Sequence, residues 1–123
     1  MGQLSRVLRS IAGGGLGFWC PGCREMHVVW TGDGPGPRWG WNGSAERPTF
    51  TPSVLVTGVK QLTDEQHAAW MRGEPLPDAV PQRCHTFVTD GRIQFLADCT
   101  HALAGQTVEL PDWERTAESN SNN

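Results

Sequence analysis

The chain has 123 residues and a formal net charge of −3. That is the size of one ordinary domain, and the charge supplies no global attraction to nucleic acid or to an anionic membrane. No apolar run approaches the roughly 20 residues needed to span a bilayer, and Met1–Ala12 lacks the apolar core of an export signal.

Fifteen Gly and nine Pro favour short strands and turns over long helices. Six Trp and no Tyr suggest a small core filled by a few large indoles. Leu4–Ala12 carries apolar residues at 4, 7, 8 and 11, the stripe of a short amphipathic helix. Gly13-Gly14-Gly15 would end that helix, so residues 1–15 read as a helix and a glycine linker. Leu16–Trp19 leads as a strand into Cys20-Pro21-Gly22-Cys23, and His27–Thr31 reads as the next strand. Gly32–Pro37 is a loop.

Arg38–Asn42 alternates, placing Trp39 and Trp41 on one face, and Asn42-Gly43 marks a tight turn. Arg47–Pro52 has proline at positions 48 and 52, which suits a strand entry or edge. Ser53–Thr57 is β-branched and apolar and reads as a buried strand. Thr63–Arg72 reads as a second helix, with Thr63 as N-cap and Gln66 completing a capping box. Glu74–Gln82 is a proline-rich connection. Arg83–Thr89 and Arg92–Asp98 form a hairpin about Asp90-Gly91, and Thr107–Leu110 is a last strand. Glu114–Asn123 is a polar tail expected to be disordered. The expected architecture is therefore α+β: a small β-rich, zinc-ribbon-like domain over residues 16–113, with short antiparallel strands and two short helices.

Four Cys without an export signal point to metal rather than to disulfides. Cys20 and Cys23 supply two thiolates from one turn, and zinc is the expected ion. The hairpin selects their partners. With a two-residue loop at Asp90-Gly91, paired positions sum to 181, and Cys84 and Cys99 become diagonal neighbours on one face. The expected ligands are Cys20, Cys23, Cys84 and Cys99. His101 is the alternative fourth ligand, and His27 stands behind it as a solvent-facing residue at a strand start. His67 reads as a solvent-facing residue of the second helix.

Under the same register His85 and Asp98 share the opposite face, and His101 follows three residues on. Two His and a carboxylate form a recurrent metal or acid–base constellation, set against a simple hydrogen bond stapling a turn. Arg38, Trp39 and Trp41 offer a stacking platform for single-stranded bases, not favoured by the net charge.

The segments FWCPGC (18–23), WGWNG (39–43), RPTFTPSVLV (47–56) and RCHTFVTDGRIQFLADCTHALAGQTVELPDW (83–113) together resemble a family of small uncharacterised phage and prophage proteins. The resemblance implies recurring candidate ligands at Cys20, Cys23, Cys84, His85, Asp98 and His101, and raises His101 against Cys99. It implies a phage-encoded protein acting in the bacterial host cytoplasm, with no established activity. The expected function is a zinc-stabilised accessory module that binds a host or phage protein rather than an enzyme. The alternative is a small metal-dependent hydrolase using His85, Asp98 and His101.

Overall fold

In the computed structural model, residues 2–113 are described, and the expected tail at 114–123 lies outside them. Nine short strands form two antiparallel sheets, and one helix accompanies them. The first sheet has the order β1-β2-β3-β4, with β1 Gly2–Gln3, β2 Leu8–Ile11, β3 Gly15–Cys20 and β4 Glu25–Trp30. The second has the order β5-β6-β7-β8-β9, with β5 Gly40–Trp41, β6 Phe50–Val59, β7 Pro81–Thr89, β8 Arg92–Phe95 and β9 Thr107–Glu109. The helix α1 covers Asp64–Met71.

The expected N-terminal helix is a pair of strands instead. Ser5 Oγ accepts the N–H groups of Val7 (3.1 Å) and Leu8 (3.0 Å) and turns the chain before a helix can propagate. Leu8–Ile11 then pairs with β3, with Leu8 opposite Phe18. Burial of Val7 and Leu8 is better served by this hairpin than by an isolated helix, since a helix this short is marginal without a packed face. The glycines at 13 and 14 form the hairpin turn. Among the described residues one helix therefore remains, and it is the capped one. Thr63 and Gln66 form the reciprocal capping box, yet none of its residues is buried.

Phe18, Phe50, Phe95, Leu8, Ile93, Val29 and Val88 are the large residues that fill the core. Phe18 of the first sheet stacks on Phe50 of the second, with centroids 6.0 Å apart. No Trp is among the buried residues, contrary to the expected Trp-filled core. An indole N–H needs a partner when it leaves water, and the indoles meet that need at the rim. Trp39, Trp41 and Trp113 donate to the carbonyls of Ser53, Ser44 and Val7.

The hairpin forms in the expected register. Thr89 pairs with Arg92, Val88 with Ile93, Phe87 with Gln94 and Thr86 with Phe95. Asp90 (φ 50°) and Gly91 (φ 78°) both occupy the left-handed region, as a two-residue turn of this twist requires. Asp90 is tied to Arg47 by a bidentate pair at 2.9 and 3.1 Å. The strand ends sooner than expected. β8 stops at Phe95, and the chain turns so that Cys99 N–H bonds Leu96 O (3.1 Å) and Thr100 N–H bonds Arg83 O (2.9 Å). That early turn decides the arrangement of both residue clusters below.

Between β6 and β7 the ladder is interrupted. Phe50 pairs with Val88 and Val54 with Thr86, leaving Thr51, Pro52 and Ser53 opposite a single residue, Phe87. This is a bulge, the device by which a strand re-aims a side chain, and Pro52 marks it in the sequence.

Candidate active site and metal cluster

Alternation along β7 sends neighbouring residues to opposite faces. Cys84, Thr86 and Val88 face the core, while His85 and Phe87 face outward. Each face carries one cluster.

On the outward face, Ser53 Oγ lies 2.9 Å from His85 Nε2, and His85 Nδ1 lies 3.3 Å from Asp98 Oδ2. The chain is Ser–His–carboxylate, in the linear order of a nucleophile, its base and the group that orients the base. Each member is held from behind. Ser53 sits in the bulge, and its carbonyl accepts the Trp39 indole N–H at 3.2 Å. Asp98 lies in the turn after β8, with Arg83 Nη1 at 3.9 Å from its Oδ2.

His85 is held by Cys99. In a regular hairpin His85 would exchange two ladder bonds with Leu96. Leu96 N–H does reach His85 O at 2.9 Å, but Leu96 O is taken by Cys99 N–H. The Cys99 thiol fills the gap, accepting His85 N–H at 3.2 Å and donating to His85 O at 3.3 Å.

On the core side, the ligand atoms of Cys20, Cys23, Cys84 and His101 all lie within 4.8 Å of one another. Cys20 Sγ and Cys84 Sγ are 3.7 Å apart, and Cys84 Sγ is 3.4 Å from His101 Nε2. Two thiolates bound tetrahedrally at about 2.3 Å stand about 3.8 Å apart, so these spacings fit one ion. All four Cys are free thiols. Gly22 is part of the fit, because a Cβ there would overlap the His101 ring.

The three thiols hold their protons unequally, with one favoured as thiolate and two as thiol. The Cys20 thiol is pulled down to about 4, first by its hydrogen bond with Cys84, with the nearby His27 also favouring the thiolate. Cys84 is pushed up, first because its own proton makes that bond. Cys23 is pushed up to about 12 by burial and then by the Cys20 charge. A cation among them reverses the last two shifts.

One adjustment is needed at His101. Its Nδ1 accepts Leu103 N–H at 3.2 Å, so ligation through Nε2 requires the proton to move to Nδ1 and that bond to be given up. The cost is about 1 kcal/mol, small beside the roughly 10 kcal/mol a structural ion supplies. A cavity of about 590 Å³, lined in part by Cys23, Cys84 and His101, opens beside the cluster.

The structure thus gathers Cys20, Cys23, Cys84 and His101 and leaves Cys99 outside, because the turn after Phe95 directs its sulfur to the His85 main chain. His27, expected to face solvent, is buried on the core side of β4, edge-on to Phe18 with ring centroids 5.8 Å apart. Its Nε2 makes no hydrogen bond, and with Cys23 and Glu25 it forms an overlapping group of candidate ligands. The constellation of His85, Asp98 and His101 does not assemble. His85 and Asp98 pair, while His101 belongs to the thiols and packs edge-on to Phe95 at 4.7 Å. His67 lies exposed on α1. Arg38 bonds main-chain carbonyls at Thr31 and Pro35, and Trp39 packs against the core.

Ser53 was not among the residues singled out from the sequence. It lies 32 positions from His85, and only the β6–β7 register brings them together. Pro52 was the available signal, as a proline inside an apolar strand marks a bulge. No helix of the described residues is long and apolar enough to cross a membrane.

Residues 2–96 match the model of a family described as bacterial ubiquitination-like system serine protease (BubE). Among curated proteins and among solved structures, nothing matches the chain. The family finding corrects the expected function. A serine protease family is neither a non-enzymatic zinc-binding accessory module nor a metal-dependent hydrolase built on His85, Asp98 and His101. The chain belongs to the BubE family of bacterial ubiquitination-like system serine proteases.

Proposed function

We propose that this chain is a serine protease of a bacterial ubiquitination-like system, with Ser53 as nucleophile, His85 as general base and Asp98 as the carboxylate that orients His85. The observation that carries the reading is the continuous hydrogen-bonded chain from Ser53 Oγ to Asp98 Oδ2, at 2.9 and 3.3 Å. Asp98 accepts from Nδ1–H and so leaves Nε2 with its lone pair toward the serine, the tautomer a base requires.

Ser53 Oγ attacks the substrate carbonyl carbon as its proton passes to His85 Nε2. The tetrahedral adduct collapses with cleavage of the C–N bond, and His85 returns the proton to the departing amine. Water then attacks the acyl-serine, its proton taken by His85, and His85 returns that proton to Ser53 Oγ as the C–O bond breaks and the acid leaves. The partner this chemistry implies is a protein substrate.

We further propose that zinc is the ion for Cys20, Cys23, Cys84 and His101, in a zinc-ribbon-like clasp. Three thiolates and one imidazole are a standard closed zinc set with no open position. The ion would supply folding energy and no step of the reaction.

The test uses the whole purified protein and a serine-directed fluorophosphonate probe. One adduct at Ser53 is expected by intact mass and peptide mapping. Ser53→Ala should abolish it, and Asp98→Asn should slow labelling by about 10³-fold or more through loss of the correct tautomer. Labelling that persists in Ser53→Ala would overturn the assignment.

A further inference from the structure

Four outward-facing side chains form a square on β6 and β7. Leu55 pairs directly with His85. Ser53, the bulge residue next to Val54, shares with Thr51 and Pro52 the place opposite Phe87. Ser53 and His85 therefore occupy one diagonal of the square and are hydrogen bonded across it. Leu55 and Phe87 occupy the other diagonal, with 54% and 42% of their surfaces exposed.

A single exposed Leu or Phe on a protein surface calls for no explanation. These two are different in position. They flank the nucleophile and its base on either side, on rigid strands, and the residues beneath them, Val54, Thr86 and Val88, are buried in the core. A peptide laid along the Leu55–Phe87 diagonal with its carbonyl carbon at Ser53 Oγ passes one of these side chains before the reacting bond and the other after it. Burying an apolar substrate side chain against either is favourable at about 25 cal/mol per Å² of surface removed from water, while a charged side chain packed against either would lose part of its hydration.

We infer that Leu55 and Phe87 are specificity-determining residues, and that the substrate is an extended peptide segment with apolar side chains within two residues of the bond cleaved. The inference rests on the Ser53–His85–Asp98 reading.

The test separates the two. The purified protein is incubated with a proteome-derived peptide library, and cleavage sites are read by mass spectrometry. Val, Leu, Ile or Phe should be enriched within two residues of the cleaved bond. Leu55→Ser and Phe87→Ser should each lower cleavage of such sites by about tenfold or more and flatten the preference on one side, while Phe87→Leu retains it. Fluorophosphonate labelling of Ser53 should stay within about twofold of wild type in all three, which reports an intact triad independently. A preference for charged or small polar residues overturns the inference, as do a profile unchanged in both serine variants and a failure to cleave any peptide while Ser53 still labels. Absence of labelling in the wild-type protein instead overturns the triad, and the inference with it.

Discussion

Cys99 separates two readings of the same residue, and Cys99→Ala tests them. As a fourth thiolate ligand, its loss would release the ion. As a main-chain clamp, its loss leaves the ion in place and loosens His85. The structure supports the clamp, with His85 N–H to Sγ at 3.2 Å and Sγ to His85 O at 3.3 Å. The carbonyl keeps a second donor, Leu96 N–H at 2.9 Å, so removing the thiol falls mainly on the N–H. An N–H left without its partner in a mostly buried position costs about 1–3 kcal/mol. For a domain of this length that lowers Tm by roughly 3–5 °C for each kcal/mol. Asp98 immediately precedes Cys99, so the His85–Asp98 spacing loosens with it, and kcat should fall about 10- to 100-fold with KM little changed. Metal content by elemental analysis should stay at the wild-type value. Cys99→Ser restores a donor and an acceptor and should recover most of the stability. The reasoning fails if Cys99→Ala loses its metal, as Cys84→Ala is expected to, or if it leaves both Tm and kcat unchanged.

Two further outcomes follow from the remaining contacts. His101→Ala should abolish stoichiometric metal, while His27→Ala should retain it and lose stability through a cavity beside Phe18 of about 2–4 kcal/mol; elemental analysis paired with thermal melting reads both. The Arg47 guanidinium holds the Asp90 carboxyl below its ordinary range, so its contribution is present above the unfolded value and is lost as pH falls through the depressed one. In Arg47→Ala the Asp90 carboxyl should titrate nearer its ordinary value by NMR, and the wild type's advantage in stability over that variant should shrink on acidification.

The elements legible in the sequence are those specified by local chemistry. The turn at Asp90-Gly91 fixed the hairpin register through Phe95, and Thr63 with Gln66 marked the helix start. The knuckle at Cys20–Cys23 sits, as read, between two strands. Where the pattern was ambiguous, tertiary packing decided. The apolar stripe of Leu4–Ile11 suits a helix, but Val7 and Leu8 satisfy the core equally from a strand beside β3. The fourth ligand turned on where β8 ends, because alternation predicts faces only while the strand lasts. Three residues of turn after Leu96 exchanged the destinations of Cys99 and His101. Ser53, the proposed nucleophile, was the least legible feature. His85 and Asp98 belong to one hairpin and could be placed on one face, whereas Ser53 reaches them from another strand through a bulge whose register no local signal sets.

The two clusters are interleaved in the chain, and that couples them physically. Cys84 and His85 are adjacent and face opposite sides of β7, so fixing the Cys84 sulfur fixes the strand segment that carries the base. Asp98 and His101 belong to the same short turn, tied to β7 by Thr100 N–H to Arg83 O at 2.9 Å. An ion that gathers Cys84 and His101 therefore pins both ends of the segment that sets the His85–Asp98 distance, while touching neither. With a net stability on the order of 10 kcal/mol for a domain of this size, such pinning is a plain reason for a serine protease to carry a cysteine-rich cluster on the reverse of the strand that bears the proposed base: under the proposed assignment, a bound ion would act on the geometry of His85 and leave the chemistry to Ser53.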